Sequence, residues 1–212
     1  MYKYVFFDMD GTVLDTIEDL KNAVNYTMRH FGYPEIDTYQ TKHYTGNASR
    51  HLITMACPDG TEIDPVLEFY SKYYKSHCAI NTKPYDGILD LMAKLKSRGI
   101  KMAVVSNKMD GAVKDLAREW FGEYIDVAVG EKDGLMKKPA PDLVNEAMRL
   151  MKANKAESVY IGDTEVDIKT AFNSELPCIA VTWGFRDFDE IKDLGAMCYC
   201  NNTDEVFDKI IE

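Results

Sequence analysis

The chain has 212 residues and a formal net charge of −10, from 25 basic and 35 acidic side chains. Hydrophobic residues make up 46% of it and charged residues 28%, which is typical of a folded globular protein and excludes an intrinsically disordered chain. The acidic balance, without any block of Lys or Arg, argues against nucleic acid and anionic membranes as partners. A phosphate site would have to be built locally, from a metal, a lysine and backbone N–H groups.

The five cysteines are odd in number, and none forms a Cys-x-x-Cys pair, so we expect neither a disulfide scaffold nor a zinc site. The first residues enter an apolar strand-like run, with no signal-peptide core and no apolar stretch of about 18 residues behind it. These features predict a cytoplasmic protein, and we expect it to be a monomer or a homodimer.

Short apolar runs alternate with helical patterns along most of the chain. The first run, residues 2–7, is rich in aromatic and β-branched side chains and predicts a buried parallel strand. The later patterns predict strands at 101–105, 125–129, 158–161 and 178–181, and helices at 87–98, 111–121, 141–152, 165–174 and 204–211. This alternation predicts an α/β fold with a Rossmann-like three-layer core, in which helices cover both faces of a parallel sheet.

Residues 16–82 interrupt that alternation. Their pattern predicts a helix at 17–31, then two or three shorter helices, the last near 65–78, and no buried strand. We therefore expect a small all-helical cap domain at 16–82, inserted into a core domain formed by residues 1–15 and 83–212. The two chain crossings between these domains would act as a hinge.

Polar side chains follow several of the predicted strands. Asp8 and Asp10 come directly after the first strand, Ser106 closes the strand 101–105, and Asp163 follows the strand 158–161. Lys138 lies in the loop before helix 141–152. Ligands of open parallel sheets bind beyond the carboxyl ends of the strands, so these side chains are predicted to share one edge of the sheet.

These residue types suit metal-assisted phosphoryl transfer. Mg²⁺ prefers oxygen ligands, which Asp8 and Asp163 can supply. Beside the metal, Asp8 stays ionised and can attack phosphorus, while Asp10 can protonate the leaving oxygen and then activate water. We include Asp10 in the predicted metal site, although its side chain need not touch the ion.

Several neighbours are predicted to hold the phosphoryl group. The turn at Met9, Asp10 and Gly11 can bring backbone amides close to phosphate. The side chains of Ser106, Asn107 and Lys138 can neutralise its developing charge. Asn107 is alternatively a loop-orienting residue.

Supporting positions and the cap are less sharply defined. Thr12 and Asp167 are predicted to support the site, Asp167 because it lies one helical turn beyond Asp163. In the cap, Thr45, Gly46 and Arg50 form the predicted specificity loop, where Arg50 either binds a substrate anion or is a solvated arginine. Lys108 is interpreted as a surface or cap-facing residue rather than a catalytic one.

Four motifs resemble those of the haloacid dehalogenase superfamily, in the same order. They are Asp8-x-Asp10-Gly11-Thr12-Val13, Ser106-Asn107, Lys138-Pro139-x-Pro141-Asp142 and Gly162-Asp163-x-x-x-Asp167. Within that superfamily, the chain looks most similar to phosphoglycolate phosphatases, which carry a helical cap after the first motif. The resemblance implies Mg²⁺, a phosphoaspartate intermediate on Asp8, and a cap that closes over a small phosphorylated metabolite. It also selects Lys138 over Lys137, because the functional lysine directly precedes proline.

Other functions of the same fold stay open. A β-phosphoglucomutase-type mutase would resemble this chain but carries a histidine where Leu20 stands. A pyrophosphatase or nucleotidase is compatible with all four motifs. A phosphonoacetaldehyde hydrolase would need a cap lysine, for which Lys42 is the nearest candidate, and a dehalogenase would need neither Asp10 nor a metal carboxylate. A non-catalytic phosphate-binding regulatory module would be expected to have lost part of a motif.

Overall fold

The computed structural model describes residues 1–212 of the protein. Eight strands, ten α-helices and one 3₁₀ helix follow one another along the chain. In order they are β1 (Tyr4–Phe7), β2 (Leu14–Asp15), α1 (Ile17–Phe31), α2 (Thr38–Tyr44), α3 (Ala48–Ala56), α4 (Ile63–His77), β3 (Lys83–Pro84), α5 (Ile88–Ser97), β4 (Lys101–Met109), α6 (Asp110–Phe121), β5 (Val127–Glu131), α7 (Asp142–Met151), the 3₁₀ helix (Lys155–Glu157), β6 (Ser158–Gly162), α8 (Glu165–Asn173), β7 (Cys178–Val181), α9 (Phe188–Ile191), β8 (Cys198–Cys200) and α10 (Thr203–Ile211).

Six strands form one parallel sheet in the order β5-β4-β1-β6-β7-β8. β1 lies between β4 and β6, with Phe6 opposite both Ala103 and Tyr160. Because successive side chains of a strand point to opposite faces, Val5 and Phe7 enter one apolar cluster and Phe6 enters another. Helices cover both faces, so the predicted α/β three-layer core is confirmed.

The carboxyl ends of the strands differ in detail from the prediction. β4 continues to Met109 instead of ending at residue 105, and its pairing with β5 shifts register between Val105 and Met109. The strand predicted at 125–129 lies at Val127–Glu131. The irregular stretch of β4 carries Ser106 and Lys108, so the strand itself places both of these side chains.

Helices α1 to α4 pack around an apolar cluster of their own, which includes Met28, Ile53 and Tyr70. α1 covers the predicted range 17–31 and ends at Gly32, whose φ of 71° closes the helix in the left-handed conformation. Tyr70 and Tyr74 of α4 are buried in this region and stacked on one another. We propose that residues 16–82 are a cap domain on the core.

The two chain crossings beside this helical insert touch each other. β2 pairs antiparallel with β3, with Leu14 opposite Pro84 and Asp15 opposite Lys83. Just beyond them, the Asp19 carboxylate accepts hydrogen bonds from the backbone N–H groups of Asn81 and Thr82 at 2.8 to 3.0 Å. This small pair was not predicted, because two residues per strand are too few for a hydrophobic pattern.

All five cysteines are free thiols, as expected from their number and spacing. None of the helices combines the length and the apolar character needed to cross a membrane.

Candidate active site

A cavity of about 40 Å³ lies between the carboxyl edge of the sheet and helices of the insert. It holds the predicted nucleophile Asp8 and acid–base residue Asp10, together with Ser106 and Lys138. Its complete wall is formed by Asp8, Asp10, Leu20, Thr45, Gly46, Ala48, Ser49, Leu52, Tyr74, Ser106, Asn107, Lys108, Lys138, Thr164 and Phe185. The cavity has room for a few water molecules, at about 10–15 Å³ for each.

Three buried carboxylates meet beside this cavity. One oxygen from each of Asp8, Asp163 and Asp167 lies within 4.8 Å of the others, and we call this group the acidic cluster. The Lys138 amine lies 2.7 Å from Asp8 Oδ1 and 2.8 Å from Asp167 Oδ1. Lys138 thus contacts two of the three carboxylates of the acidic cluster, which leaves an excess of negative charge.

The burial and the excess of negative charge shift the pKa values of Asp8, Asp163 and Lys138. Burial, reinforced by the neighbouring Asp167, raises the pKa of Asp8 well above its usual range. The same two causes raise the pKa of Asp163 to about 7. Burial opposes the charge on Lys138, but Asp167 and Asp8 outweigh it and raise the pKa of this amine well above its ordinary value.

The donors around each carboxylate show which oxygens are free for a cation. Asp167 accepts from Lys138 and Tyr160 at Oδ1, and from Thr164 at Oδ2. Asp163 accepts one bond at each oxygen, from the Thr12 hydroxyl at 2.8 Å and from the Phe185 N–H at 2.7 Å.

Asp8 and Asp163 thus keep lone pairs for a hard divalent cation, while Asp167 and Thr12 hold their neighbours in place. The Asp10 side chain lies outside the acidic cluster, so the predicted metal contact of Asp10 could involve only its main chain.

Two glycines leave room for Asp163. A Cβ atom on Gly11, whose φ is +87°, would lie 2.3 Å from Asp163 Oδ2, and a Cβ on Gly184 would lie equally close to that oxygen. Gly11 was predicted as part of the phosphate turn, whereas no role beside Asp163 was predicted for Gly184.

Met9 lies fully buried in the core cluster, so only its main chain could serve the phosphate turn.

The second charged pair in the cavity joins Lys108 to Asp10. Lys108 is only 8% exposed and contacts the insert, so of its two predicted descriptions the cap-facing one fits and the surface one does not. Its amine lies 2.9 Å from Asp10 Oδ1 and donates a 2.6 Å hydrogen bond to the Tyr74 hydroxyl of α4. Burial disfavours the charge on this amine, yet Asp10 raises the pKa of Lys108 above its usual value.

Ser106 and Asn107 have different surroundings. Ser106 Oγ accepts from the Lys108 N–H at 3.2 Å, which leaves its hydroxyl proton for a ligand. Asn107 donates to the carbonyls of Gly46 and Lys138 at 3.0 and 2.9 Å, and accepts from the Lys138 N–H. Both of its amide protons are thereby used, so Asn107 orients the loops around the site.

The predicted specificity loop is only partly in the cavity. Thr45 and Gly46 line it, but Arg50 does not. The Arg50 guanidinium pairs with Asp64 at 2.6 Å, and the Arg50 side chain is 56% exposed. The expectation that Arg50 binds a substrate anion is therefore withdrawn, and the alternative of a solvated arginine describes its position.

A core arginine that was not predicted holds the same loop. Arg186 is buried, pairs with Glu165 at 2.8 Å, and donates to the carbonyls of Lys42 and Thr45 at 2.6 and 3.0 Å. The neighbouring Phe185 packs into the apolar cluster of the insert. Nothing in the local sequence pattern around Arg186 indicates what this side chain contacts.

Comparison with known proteins agrees with this architecture. Residues 5–181 match the model of the haloacid dehalogenase-like hydrolase family. The chain belongs to this family, as its four ordered motifs indicated, and it is an enzyme of the hydrolase class.

Three relatives illustrate the similarity. A phosphoglycolate phosphatase of Rhodobacter capsulatus is 29% identical over 86% of this chain and 85% of its own. A protein of Caldanaerobacter subterraneus named "Putative pyrophosphatase PpaX" is 32% identical over 89% of this chain and 85% of its own. The crystal structure of a "putative phosphoglycolate phosphatase" from Lactobacillus delbrueckii subsp. bulgaricus superimposes with a TM-score of 0.92 at 38% identity, covering 99% of this chain and 98% of the other.

Proposed function

We propose that the protein is a Mg²⁺-dependent phosphatase that hydrolyses a small, phosphoglycolate-type phosphate monoester through a phosphoaspartate on Asp8. The observation that carries this proposal is the meeting of Asp8, Asp10, Ser106 and Lys138 in one small cavity beside the acidic cluster. Family membership and the phosphatase names of the relatives support the reaction class.

The charge excess of the acidic cluster supports a divalent cation. Asp8 and Asp163 would hold Mg²⁺, and Asp167 would orient Lys138 beside them. When bound, the ion supplies positive charge that keeps Asp8 ionised and balances the phosphoryl oxygens.

The side chains divide the two chemical steps between them. Asp8 Oδ attacks phosphorus, and the P–O bond to the leaving group breaks as Asp10 donates a proton to that oxygen. Asp10 then takes a proton from the water that attacks the phosphoaspartate, which releases inorganic phosphate and restores Asp8. The Ser106 hydroxyl and the Lys138 amine stabilise charge on the transferred group. The closed insert limits competing water.

Two alternatives bear on the leaving group. Leu20 lines the cavity where a mutase of this type would carry histidine, and its side chain has no atom that transfers protons, which disfavours phosphoryl return to a sugar. A pyrophosphatase keeps the same core chemistry, and the relative from Caldanaerobacter subterraneus is named as one. A non-catalytic phosphate-binding module would contain the same cavity but show no turnover.

Hydrolysis of p-nitrophenyl phosphate and phosphoglycolate by wild type and Asp8→Asn, with Mg²⁺ or with EDTA, tests the proposal. We expect turnover only for wild type with Mg²⁺, and a phosphorylated Asp8 peptide in acid-quenched wild-type enzyme by mass spectrometry. Equal activity of Asp8→Asn, or undiminished turnover in EDTA, would refute the mechanism. Absence of turnover on these and other phosphate esters would favour the binding module.

A further inference from the structure

Two lysines line the cavity, and they differ in how many of their protons are used. A lysine ammonium group has three N–H donors. The Lys138 amine donates to Asp167 and to the Tyr160 hydroxyl at 2.8 and 3.1 Å, and it also lies 2.7 Å from Asp8 Oδ1. Lys108 contacts only Asp10 and the Tyr74 hydroxyl, at 2.9 and 2.6 Å. One N–H of Lys108 is therefore left for a ligand inside the cavity.

The two lysines also lie beside different reacting groups. Lys138 contacts Asp8, which would receive the phosphoryl group. Lys108 contacts Asp10, which would protonate the leaving oxygen. A group attached to that oxygen would be close to the Lys108 amine. The cavity wall also includes the apolar side chains of Leu20, Leu52 and Phe185, and the small volume of the cavity, about 40 Å³, favours a short leaving group.

Other cations near the insert are already engaged. Arg50 points to Asp64 outside the cavity. Arg186 is occupied by Glu165 and by backbone carbonyls, and the Lys42 amine lies 3.4 Å from the Gly184 carbonyl without lining the cavity. Lys108 is the cation that remains for an anionic group on the leaving side.

We propose that Lys108, held in place by Tyr74, is the specificity-determining residue that binds the carboxylate of a short phosphorylated hydroxy acid. This inference rests on the proposed phosphatase function and adds to it the residue that recognises the leaving group. The buried amine contributes a charge-assisted hydrogen bond to the carboxylate, which a neutral alcohol of the same size cannot accept with equal strength. Tyr74 is a positioning residue on the insert, so the carboxylate site is complete only when the insert lies against the core.

A matched pair of substrates isolates this contact. Phosphoglycolate and 2-hydroxyethyl phosphate have the same length and differ in the carboxylate, and pyrophosphate offers a different anion. With Mg²⁺, we expect kcat/KM of wild type to favour phosphoglycolate over 2-hydroxyethyl phosphate by at least about 10-fold, which corresponds to one good charged contact. Lys108→Met should bring that ratio to within about threefold of unity, whatever happens to the absolute rates.

The ratio is informative because a merely structural defect would lower both rates together. Tyr74→Phe keeps the charge of Lys108 and removes its fixed partner, so an intermediate ratio is expected. If Lys108→Met fails to fold, the inference is tested by comparing the kcat/KM ratio of the two substrates between wild type and Tyr74→Phe. A wild type without preference, an unchanged ratio in the variants, or a preference for pyrophosphate over phosphoglycolate would overturn the inference. Absence of turnover on all three substrates and on p-nitrophenyl phosphate would instead overturn the proposed function.

Discussion

The core edge and the insert contribute to one cavity in different ways. At the core edge, Asp163, Asp167 and Lys138 are at most 2% exposed, and each is fixed by several short contacts to other buried groups. The contacts of the insert with the core instead include two loop carbonyls bound by Asn107 and Arg186, the Tyr74 hydroxyl, and Phe185, which packs in the apolar cluster of the insert.

This difference distinguishes a tightly held core edge, which carries the proposed reacting groups and Lys108, from an insert that is joined to it by fewer charged contacts. Buried ion pairs are costly to break, so the core edge keeps its geometry whether or not a ligand is present. No buried ion pair joins the insert to the core, so we propose that the insert can open with less free energy than the core edge would need to rearrange. Substitutions in the core edge and at its contacts with the insert test the two regions separately.

Lys138→Met removes a buried charge from the core edge and should have the largest effect. Without the amine, Asp8 and Asp167 lose the positive charge that both contact, and breaking such a buried pair lowers the free energy of unfolding by about 3–5 kcal/mol. The loss of charge at the phosphoryl group should also lower kcat/KM by about 10²- to 10³-fold. Urea unfolding and steady-state kinetics measure the two effects.

Lys137→Met is the matched control, because Lys137 is adjacent and exposed. It should leave stability within about 0.5 kcal/mol of wild type and leave activity unchanged. If the two variants behaved alike, the acidic cluster would not depend on Lys138, and the description of a rigid core edge would be wrong.

Arg186→Met tests the contact between core and insert. It removes the hydrogen bonds from a buried guanidinium to the Lys42 and Thr45 carbonyls, and bonds of this charged type contribute about 1.5–3 kcal/mol. We expect kcat/KM to fall by about 10- to 100-fold as closure becomes less favourable, with faster limited proteolysis within residues 16–82.

Arg149→Met removes an arginine that pairs with Glu146 on α7, with a side chain that is 68% exposed. This control should match wild type in both measurements. A folded Arg186→Met enzyme with wild-type kcat/KM would show that the insert closes without this arginine.

Features that are local in sequence could be predicted, whereas contacts between distant residues could not. Asp8, Asp163 and Lys138 were singled out because strand ends and loop motifs are local features, and parallel strands bring such ends to one edge. α1 was predicted with its full range because its apolar positions are regular and Gly32 ends it. Lys108 and Arg186 have partners 34 and 144 residues away, which no local pattern encodes.

Asp19→Asn tests the chain crossing beside β2 and β3, which we propose to be a hinge, through the pH dependence of its effect on stability. Burial opposes the charge on Asp19, but hydrogen bonds from Asn81 and Thr82 outweigh it and lower the pKa of this carboxyl. A lowered folded-state pKa means that the contribution of Asp19 is fully present above the unfolded value of about 3.9 and is lost as the pH falls through the folded-state pKa.

The variant should therefore be about 1–2 kcal/mol less stable than wild type at pH 7, with the gap narrowing as the pH is lowered below about 4. Unfolding by urea across that range measures the gap. Asp133→Asn, at an exposed position, should show no such gap. A gap for Asp19→Asn that stays constant with pH would show that its carboxylate charge does not stabilise the hinge.

Arg50→Ala should have the smallest effect, and it tests whether Arg50 of the insert contributes to substrate specificity. Both partners of the Arg50–Asp64 pair are largely exposed, at 56% and 76%, and exposed pairs contribute about 0–1 kcal/mol to stability. Because Arg50 does not line the cavity, we expect KM for phosphoglycolate and for p-nitrophenyl phosphate to change less than about twofold. A selective rise in KM for phosphoglycolate would mean that Arg50 swings into the cavity when substrate binds. The anion would then be shared between Arg50 and Lys108, and the insert would reorganise far more on closure than its contacts with Arg186 and Asn107 require.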